Sequence, residues 1–437
     1  MSNHPYLPNT AEDRQAMLAQ MGLRSFDELV DYIPRAAFRP QLDLPSALSE
    51  QELKSQLAEL AAQNADVGRY ACFLGGGARN HYIPSTVRSL VSRGEFLTCY
   101  TPYQPEVAQG TLQSGFDFQS LICNLFDMEV ANLGMYDGVT AFAEAILMAC
   151  RITRRNKVAI LDTVDRRMVE VLKTYTKWQE IEIVTARADK YEIPPDVAAV
   201  GAQSPNFAGA IEDIERWAKV SHSVGALCVA HYDPLATALF KTPGEAGVDI
   251  ATAEGQPLGV PLSFGGAYIG LFTCKKSHIR QMPGRLVGMT EDAQGRPAYV
   301  LTLQTREQHI RRERATSNIC TSTQLIALMV TIYLVTMGPS NLKQIADLCY
   351  QKAHYAAEHI SRLRGYEPLT SKPFFNEFAV LCPLAPARLN AYLRENGIIG
   401  GLDISDGDGH KMLFAFTEMN SRAQIDKLIE SLDKAGS

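Results

Sequence analysis

The chain has few features that would take it out of the ordinary globular classes. Gly, Pro or charge interrupts its apolar runs well short of the about 18 residues a membrane-spanning helix needs, so no membrane segment is expected. None of its nine cysteines forms a CxxC pair, and an odd number cannot all pair internally. Free thiols in a reducing compartment are expected, and no zinc site. The net charge is −6, with no strongly basic segment apart from residues 306–314, which leaves nucleic-acid binding little electrostatic support. The opening MSNHPYLPNTAEDRQ lacks a basic region followed by an apolar one, so no secretory leader is expected and the cytoplasm is the default location. The glycine triplet Gly75-Gly76-Gly77 does not make a GxGxxG that opens a helix after a strand. Ser263 in LSFGG lacks the GxSxG elbow, and no HExxH occurs.

What is present fits a chain of several parts. At 437 residues it is too long for one ordinary core. Residues 1–64 read as a helical arm, with TAEDRQAMLAQMG opening on Thr10 as a possible N-cap and LSEQELKSQLAELAAQN repeating apolar residues at helical spacing. An arm of that size is too small for a sizeable core and is expected to pack on a larger body or another subunit. Residues 65–336 read as a large α/β domain. A turn rich in Tyr and Pro, TPYQPE, precedes a long helix with Leu112, Phe116, Phe118, Leu121, Ile122 and Leu125 on its apolar face. From Met128 short apolar strands alternate with helices: MEVANLGMY, KVAILDT, EIEIVTA, VAAVGAQ, GALCVAHYD, GVDIATA and AYIGLFT. That alternation predicts a largely parallel sheet covered on both faces, with ligands beyond the strands' carboxyl ends. The segment after Ser277 reads as a polar, Arg-rich connection, and residues 337–437 as a small α+β domain.

The order of arm, large parallel domain and small domain matches the fold-type I architecture of pyridoxal-phosphate enzymes. Such an enzyme needs a helix N-terminus for the phosphate, an Asp at a strand end for the pyridinium nitrogen, and a lysine for the Schiff base. Gly138 and Thr140 open a helix suited to the first, although Asp137 at that turn would repel a phosphate. Asp233 fits the second in position, or serves as a turn residue before Pro234. The third fails. The loop after GVDIATA holds Glu254, Gly255 and Gln256, Lys241 comes too early, and Lys275 and Lys276 come too late; all three lysines read as solvated charges.

Other groups stay open. Tyr100 and Tyr103 either bind a ligand or pack the start of their helix. His81 and His231 are bases or structural hydrogen-bonding residues. Arg306, His309, Arg311, Arg312 and Arg314 either grip an anion or form a solvated face.

Several segments together carry a more specific resemblance: HYIP at 81–84, YTPYQPE at 100–106 with QGTLQ after it, MYDGVTA, Asp233-Pro234, EGQPLGVPLSFGGAYIG and TREQHIRRERATSNICT. From about Tyr6 to the C-terminus the chain resembles the glycine cleavage system P-protein, and within it the N-terminal half that many bacteria make as a separate subunit. The resemblance implies an oxidoreductase that decarboxylates glycine with pyridoxal phosphate and passes the aminomethyl group to the lipoyl arm of the H-protein. It implies that the lysine and the cofactor belong to a partner, subunit 2, in a heterotetramer with two copies of each chain. The EGQPLG loop at Glu254–Gly259 agrees with the half that lacks the lysine. Tyr100, Tyr103, Gln104, Arg306, His309 and Arg312 are then the residues expected to complete the partner's site. No covalently bound cofactor is expected in this chain, with Asp233, Gly138 and Thr140 as remnants. A self-sufficient enzyme using Lys241, or a scaffold without catalytic residues, are the other readings.

Overall fold

Strands Lys157–Leu161, Ala199–Ser204, Leu227–Tyr232 and Ile250–Glu254 are almost wholly apolar because both faces of their sheet are covered. In the computed structural model they run parallel at the centre of seven strands. Across the sheet the order is Val130–Ala131, Gly270–Cys274, Ile250–Glu254, Leu227–Tyr232, Ala199–Ser204, Lys157–Leu161, Glu182–Ala186. Gly270–Cys274 is antiparallel to both of its neighbours, so the loop 255–269 leaves and re-enters at the same end of the sheet. The fold is the largely parallel α/β class that the alternating pattern predicts.

The described residues are 6, 9–35, 37, 38, 40, 42–407 and 409–436. The others include part of the opening segment and of the stretch between the two helices of the arm, so the reading of residues 1–64 lies partly outside the described residues. The chain divides into two compact units, 1–64 and 65–437. In the first, Thr10 caps helix Ala11–Gln20 and Ser49 caps helix Glu50–Ala61, each through a reciprocal bond with the acidic residue three positions on. Leu53, Leu57 and Leu60 are 47%, 55% and 60% exposed, so the apolar stripe of the second helix has little cover.

The second unit holds two cores. One surrounds the large sheet and includes Phe142, Ile146, Trp217, Ile250 and Phe272. The other lies on a four-stranded antiparallel sheet containing Glu377–Leu381 and Lys411–Ala415, and packs Phe378, Phe414, Phe416, Leu389 and Leu428. Phe73 joins this second core from early in the chain, because Ala71–Cys72 pairs with Ile398–Ile399. Helix Gln324–Ile360 serves both, with Val330 and Tyr333 in the first core and Ala353, Ala356 and Ile360 in the second. Its halves meet at Gly338, whose φ of 65° and ψ of 171° break the helix just before Pro339.

Three local readings change. MEVANLGMY yields only Val130–Ala131 and a single bridge from Met135 to Gly270. Asn132 interrupts it by accepting from Gly134 N at 2.9 Å and donating to Pro283 O at 3.0 Å. The supposed connection after Ser277 contains a hairpin, Leu286–Glu291 with Pro297–Thr302. Its turn is held by Asp292, which accepts from Gln294 N and Arg296 N, and by Gly295 at φ 76°. Helix Gln324–Ile360 is, by length and composition, long and apolar enough to cross a membrane, which the broken apolar runs did not lead one to expect. The Gly338 break divides it, and Val330, Tyr333, Ala346 and Cys349 on it are buried.

Candidate functional site

A cavity of about 550 Å3 opens beyond the carboxyl ends of Leu227–Tyr232 and Ile250–Glu254, at the start of helix Gly138–Thr153. This is where an open parallel sheet is expected to place a ligand. The helix is buried on every face from Ala141 to Cys150, so its N-terminus is fixed within the core. Two of its first N–H groups are already used. Asp137, the N-cap, accepts from Thr140 N at 2.7 Å and from Thr140 Oγ1 at 3.0 Å. Gly138 N donates to Glu254 Oε2 at 3.0 Å. Glycine is needed there because a Cβ would lie 2.7 Å from Glu254 N. The other oxygen of Glu254 accepts from Gln256 N at 3.0 Å. Burial raises the Glu254 carboxyl to about 7; the Gly138 and Gln256 N–H groups work against that rise and Asp137 adds to it.

At the next strand end Asp233 is also occupied. Oδ2 meets the Arg79 guanidinium, while Oδ1 accepts from Leu235 N at 2.8 Å and Ala236 N at 3.2 Å. Arg79 reaches a second carboxylate, Glu377, at 3.2 Å. Burial opposes the charge on Arg79, and the two carboxylates more than offset it, leaving its pKa raised. Gln256, 1% exposed, holds Arg79 in place as a strand partner would: Oε1 accepts from Arg79 N, and Nε2 donates to Arg79 O, each at 3.0 Å. Gly255 admits this turn by lying against Ile269, whose side chain a Cβ would meet at 2.6 Å. His231 bonds Thr252 Oγ1 through Nδ1 at 3.0 Å, and burial pushes it down to about 4 against the pull of Asp233, Asp165 and Asp137.

The lysines stand elsewhere. Lys241 pairs with Glu215 at 2.5 Å and Lys275 with Asp249 at 2.6 Å, while Lys276 is exposed. Among the described residues, no lysine lines the cavity.

The aromatic and basic candidates form a second group. Tyr103 OH accepts from Arg285 Nη2 at 2.7 Å, and the His309 ring meets Tyr103 edge-on at 5.5 Å. Buried Arg285 lies 3.2 Å from buried Glu307. Thr321 Oγ1 donates to Tyr100 OH at 3.4 Å, and Tyr136, beside the helix cap, accepts from Cys320 N at 3.3 Å. Gln104 and Arg312 are exposed at the surface. Arg306 turns inward, its guanidinium donating to the carbonyls of Met282, Gly284 and Leu303. Those bonds tie the Arg-rich segment to the first core and leave Arg306 little freedom to meet a ligand.

The residues that the motif reading missed are Arg79, Glu377, Arg285 and Glu307. Arg79 stands two positions after the glycine triplet, which is the one local hint. Its partners lie 154 and 298 positions away, and no periodicity reports them.

The fold is that of the fold-type I pyridoxal-phosphate enzymes. The sphingosine-1-phosphate lyase of Burkholderia pseudomallei superposes with a TM-score of 0.65 at 14% identity, covering 92% of this chain and 94% of its own, a likeness of fold alone. The crystal structure of glycine decarboxylase (P-protein) of the glycine cleavage system, in inhibitor-bound form, superposes with a TM-score of 0.92 at 42% identity, covering 99% of this chain and all of its own. The family model of the glycine cleavage system P-protein matches residues 4–432. A Thermomicrobium roseum protein named "probable glycine dehydrogenase (decarboxylating) subunit 1" is 47% identical over 98% of this chain and 99% of its own length. The chain belongs to the glycine cleavage system P-protein family.

Proposed function

We propose that this chain is subunit 1 of a two-chain glycine dehydrogenase (decarboxylating), and that the partner chain holds the pyridoxal phosphate. The name of the Thermomicrobium relative supports the subunit reading, and the name of the superposed structure supports glycine as substrate. The carrying observation is the Glu254–Gln256 turn. Where a cofactor lysine would stand, Glu254 bonds the chain's own helix N-terminus, and Gln256 holds Arg79 against Asp233. The three groups that pyridoxal phosphate needs are therefore engaged or missing, and the residues present do not fit it.

In this reading the exposed Tyr100, Tyr103, Gln104, His309 and Arg312 face the partner and help shape its site, with aminomethyl transfer to a lipoylated H-protein. An assembly with two copies of each chain and a cytoplasmic location belong to the same proposal. The Lys241 reading has no geometric support, because that side chain is paired with Glu215 and does not line the cavity.

The test is direct. The chain alone, incubated with pyridoxal phosphate and reduced with borohydride, is expected to gain no mass, while the same treatment of the assembled complex labels the partner. Glycine decarboxylation is expected only from the two chains together. A reduced adduct on this chain overturns the assignment of the cofactor.

A further inference from the structure

The cavity beside Gly138 carries a charge pattern opposite to the one a phosphorylated cofactor requires. Five carboxylates and two guanidinium groups line it. Arg79 is matched by Asp233 and Glu377, and Arg167 by Asp165 at 2.6 Å. Asp137 and Glu254 remain, with no cation paired to either among the described residues, and both stand at the helix N-terminus where an anion would otherwise sit.

A second observation comes from the floor of the cavity. His231 is 8% exposed and its Nδ1 is taken by Thr252. Its Nε2, with no partner among the described residues, is left to the space. Val139, Met168 and Val171 supply an apolar wall alongside these polar groups.

We infer that this cavity is a binding site for a compact primary amine in its ammonium form, held between the Asp137 and Glu254 carboxylates, and that it excludes phosphate-bearing molecules. An ammonium ion has donors for both carboxylates and for a ring nitrogen. A short alkyl chain on it is covered by the valine and methionine wall. Phosphate placed there meets two carboxylates, and the Gly138 and Thr140 N–H groups at the helix start are already taken. The site uses residues of this chain only, so it stands whichever chain carries the catalytic cofactor.

The probes are n-propylammonium, its neutral counterpart n-propanol, and inorganic phosphate, titrated against the full chain and the assembled complex by calorimetry and ligand-observed NMR at about pH 8.5, where the Glu254 carboxyl is ionised and an alkylamine is still protonated. Saturable propylammonium binding is expected, with propanol and phosphate weaker by at least about tenfold, the factor that about 1.4 kcal/mol represents. Glu254→Gln keeps an oxygen acceptor for Gly138, and Asp137→Asn keeps a helix cap; each is expected to weaken the amine by at least about tenfold. Asp117→Asn removes the same charge from an exposed position and is expected to change nothing. Melting curves of the two cavity variants establish that each is folded, and either one alone suffices for the comparison. Phosphate binding as tightly as the amine, or amine binding untouched by a folded cavity variant, overturns the inference.

Discussion

Glu254 accepts a hydrogen bond from the backbone N–H of Gly138 at 3.0 Å, across 116 positions of sequence. The carboxylate thereby closes a helix end at which a phosphate group could otherwise sit, and it does so from the turn where a cofactor lysine would be looked for. Asp137 caps the same helix from the other side.

The raised Glu254 carboxyl makes stability depend on pH. Its folded value of about 7 lies above the reference value of 4.5, so the folded state holds a proton that the unfolded state has released between those limits. The contribution is intact below about pH 4.5 and is lost as pH rises through about 7. Glu254→Gln lacks this loss, so its stability relative to the parent is expected to rise over that window, by roughly 1–3 kcal/mol, and to level off above it. Denaturant melts at half-unit pH steps measure it, and parallel curves for the two proteins refute it.

Arg79 stands buried between two carboxylates, and Arg79→Met strands both of them. A loss of about 3–5 kcal/mol is expected. Adding Asp233→Asn is expected to restore part of it, since one of the stranded charges is then gone. Apparent melting temperatures of the single and double variants provide the comparison; a double variant no more stable than the single one contradicts it.

Returning a lysine to the loop is not expected to return the cofactor. In Glu254→Lys, Asp233 is still paired with Arg79 and Asp137 still caps the helix, so neither the ring nitrogen nor the phosphate finds its partner. Intact mass after pyridoxal phosphate and borohydride is expected to be unchanged. An adduct mapped to position 254 would show that the missing lysine was the only obstacle.

Arg306 and Arg312 lie six positions apart and are expected to behave differently. Arg306→Ala removes bonds to three carbonyls and is expected to destabilise the chain by about 1–3 kcal/mol. Arg312→Ala, on an exposed side chain, is expected to leave stability within about 0.5 kcal/mol and to lower glycine–CO2 exchange in the assembled complex. Unchanged exchange removes Arg312 from the proposed contributors.

Gly138 has no room for a side chain. Gly138→Ala places a Cβ against Glu254 N, and a loss of about 1–3 kcal/mol is expected, read as a lower melting temperature.

Much of the fold was legible in local patterns. The capped helices at Thr10 and Ser49, and the central strands from Lys157 to Glu254, lie where spacing and apolar runs place them, because both signals are set by neighbours in the chain. The hairpin 286–302 escaped notice because its strands, LVGMTE and PAYVLT, do not alternate buried with exposed positions: Leu286 and Val287 are both buried and Met289, Thr290 and Glu291 all exposed. In the helix Gln109–Phe126 the buried row is Leu112, Phe118, Ile122 and Phe126, while Phe116, Leu121 and Leu125 are only partly buried. The expected face was right in kind and slightly rotated, since packing against the sheet selects among adjacent apolar positions.

The site divides the same way. By itself the sequence determined the class of sheet, the family through its long motifs, and the lack of a lysine after GVDIATA, because each of these is written in contiguous residues. Only the tertiary structure decided what Glu254, Gln256 and Asp233 do instead. Their partners, Gly138 and Arg79, come from distant segments, and a buried charge takes its partner from whatever the fold brings within about 3 Å.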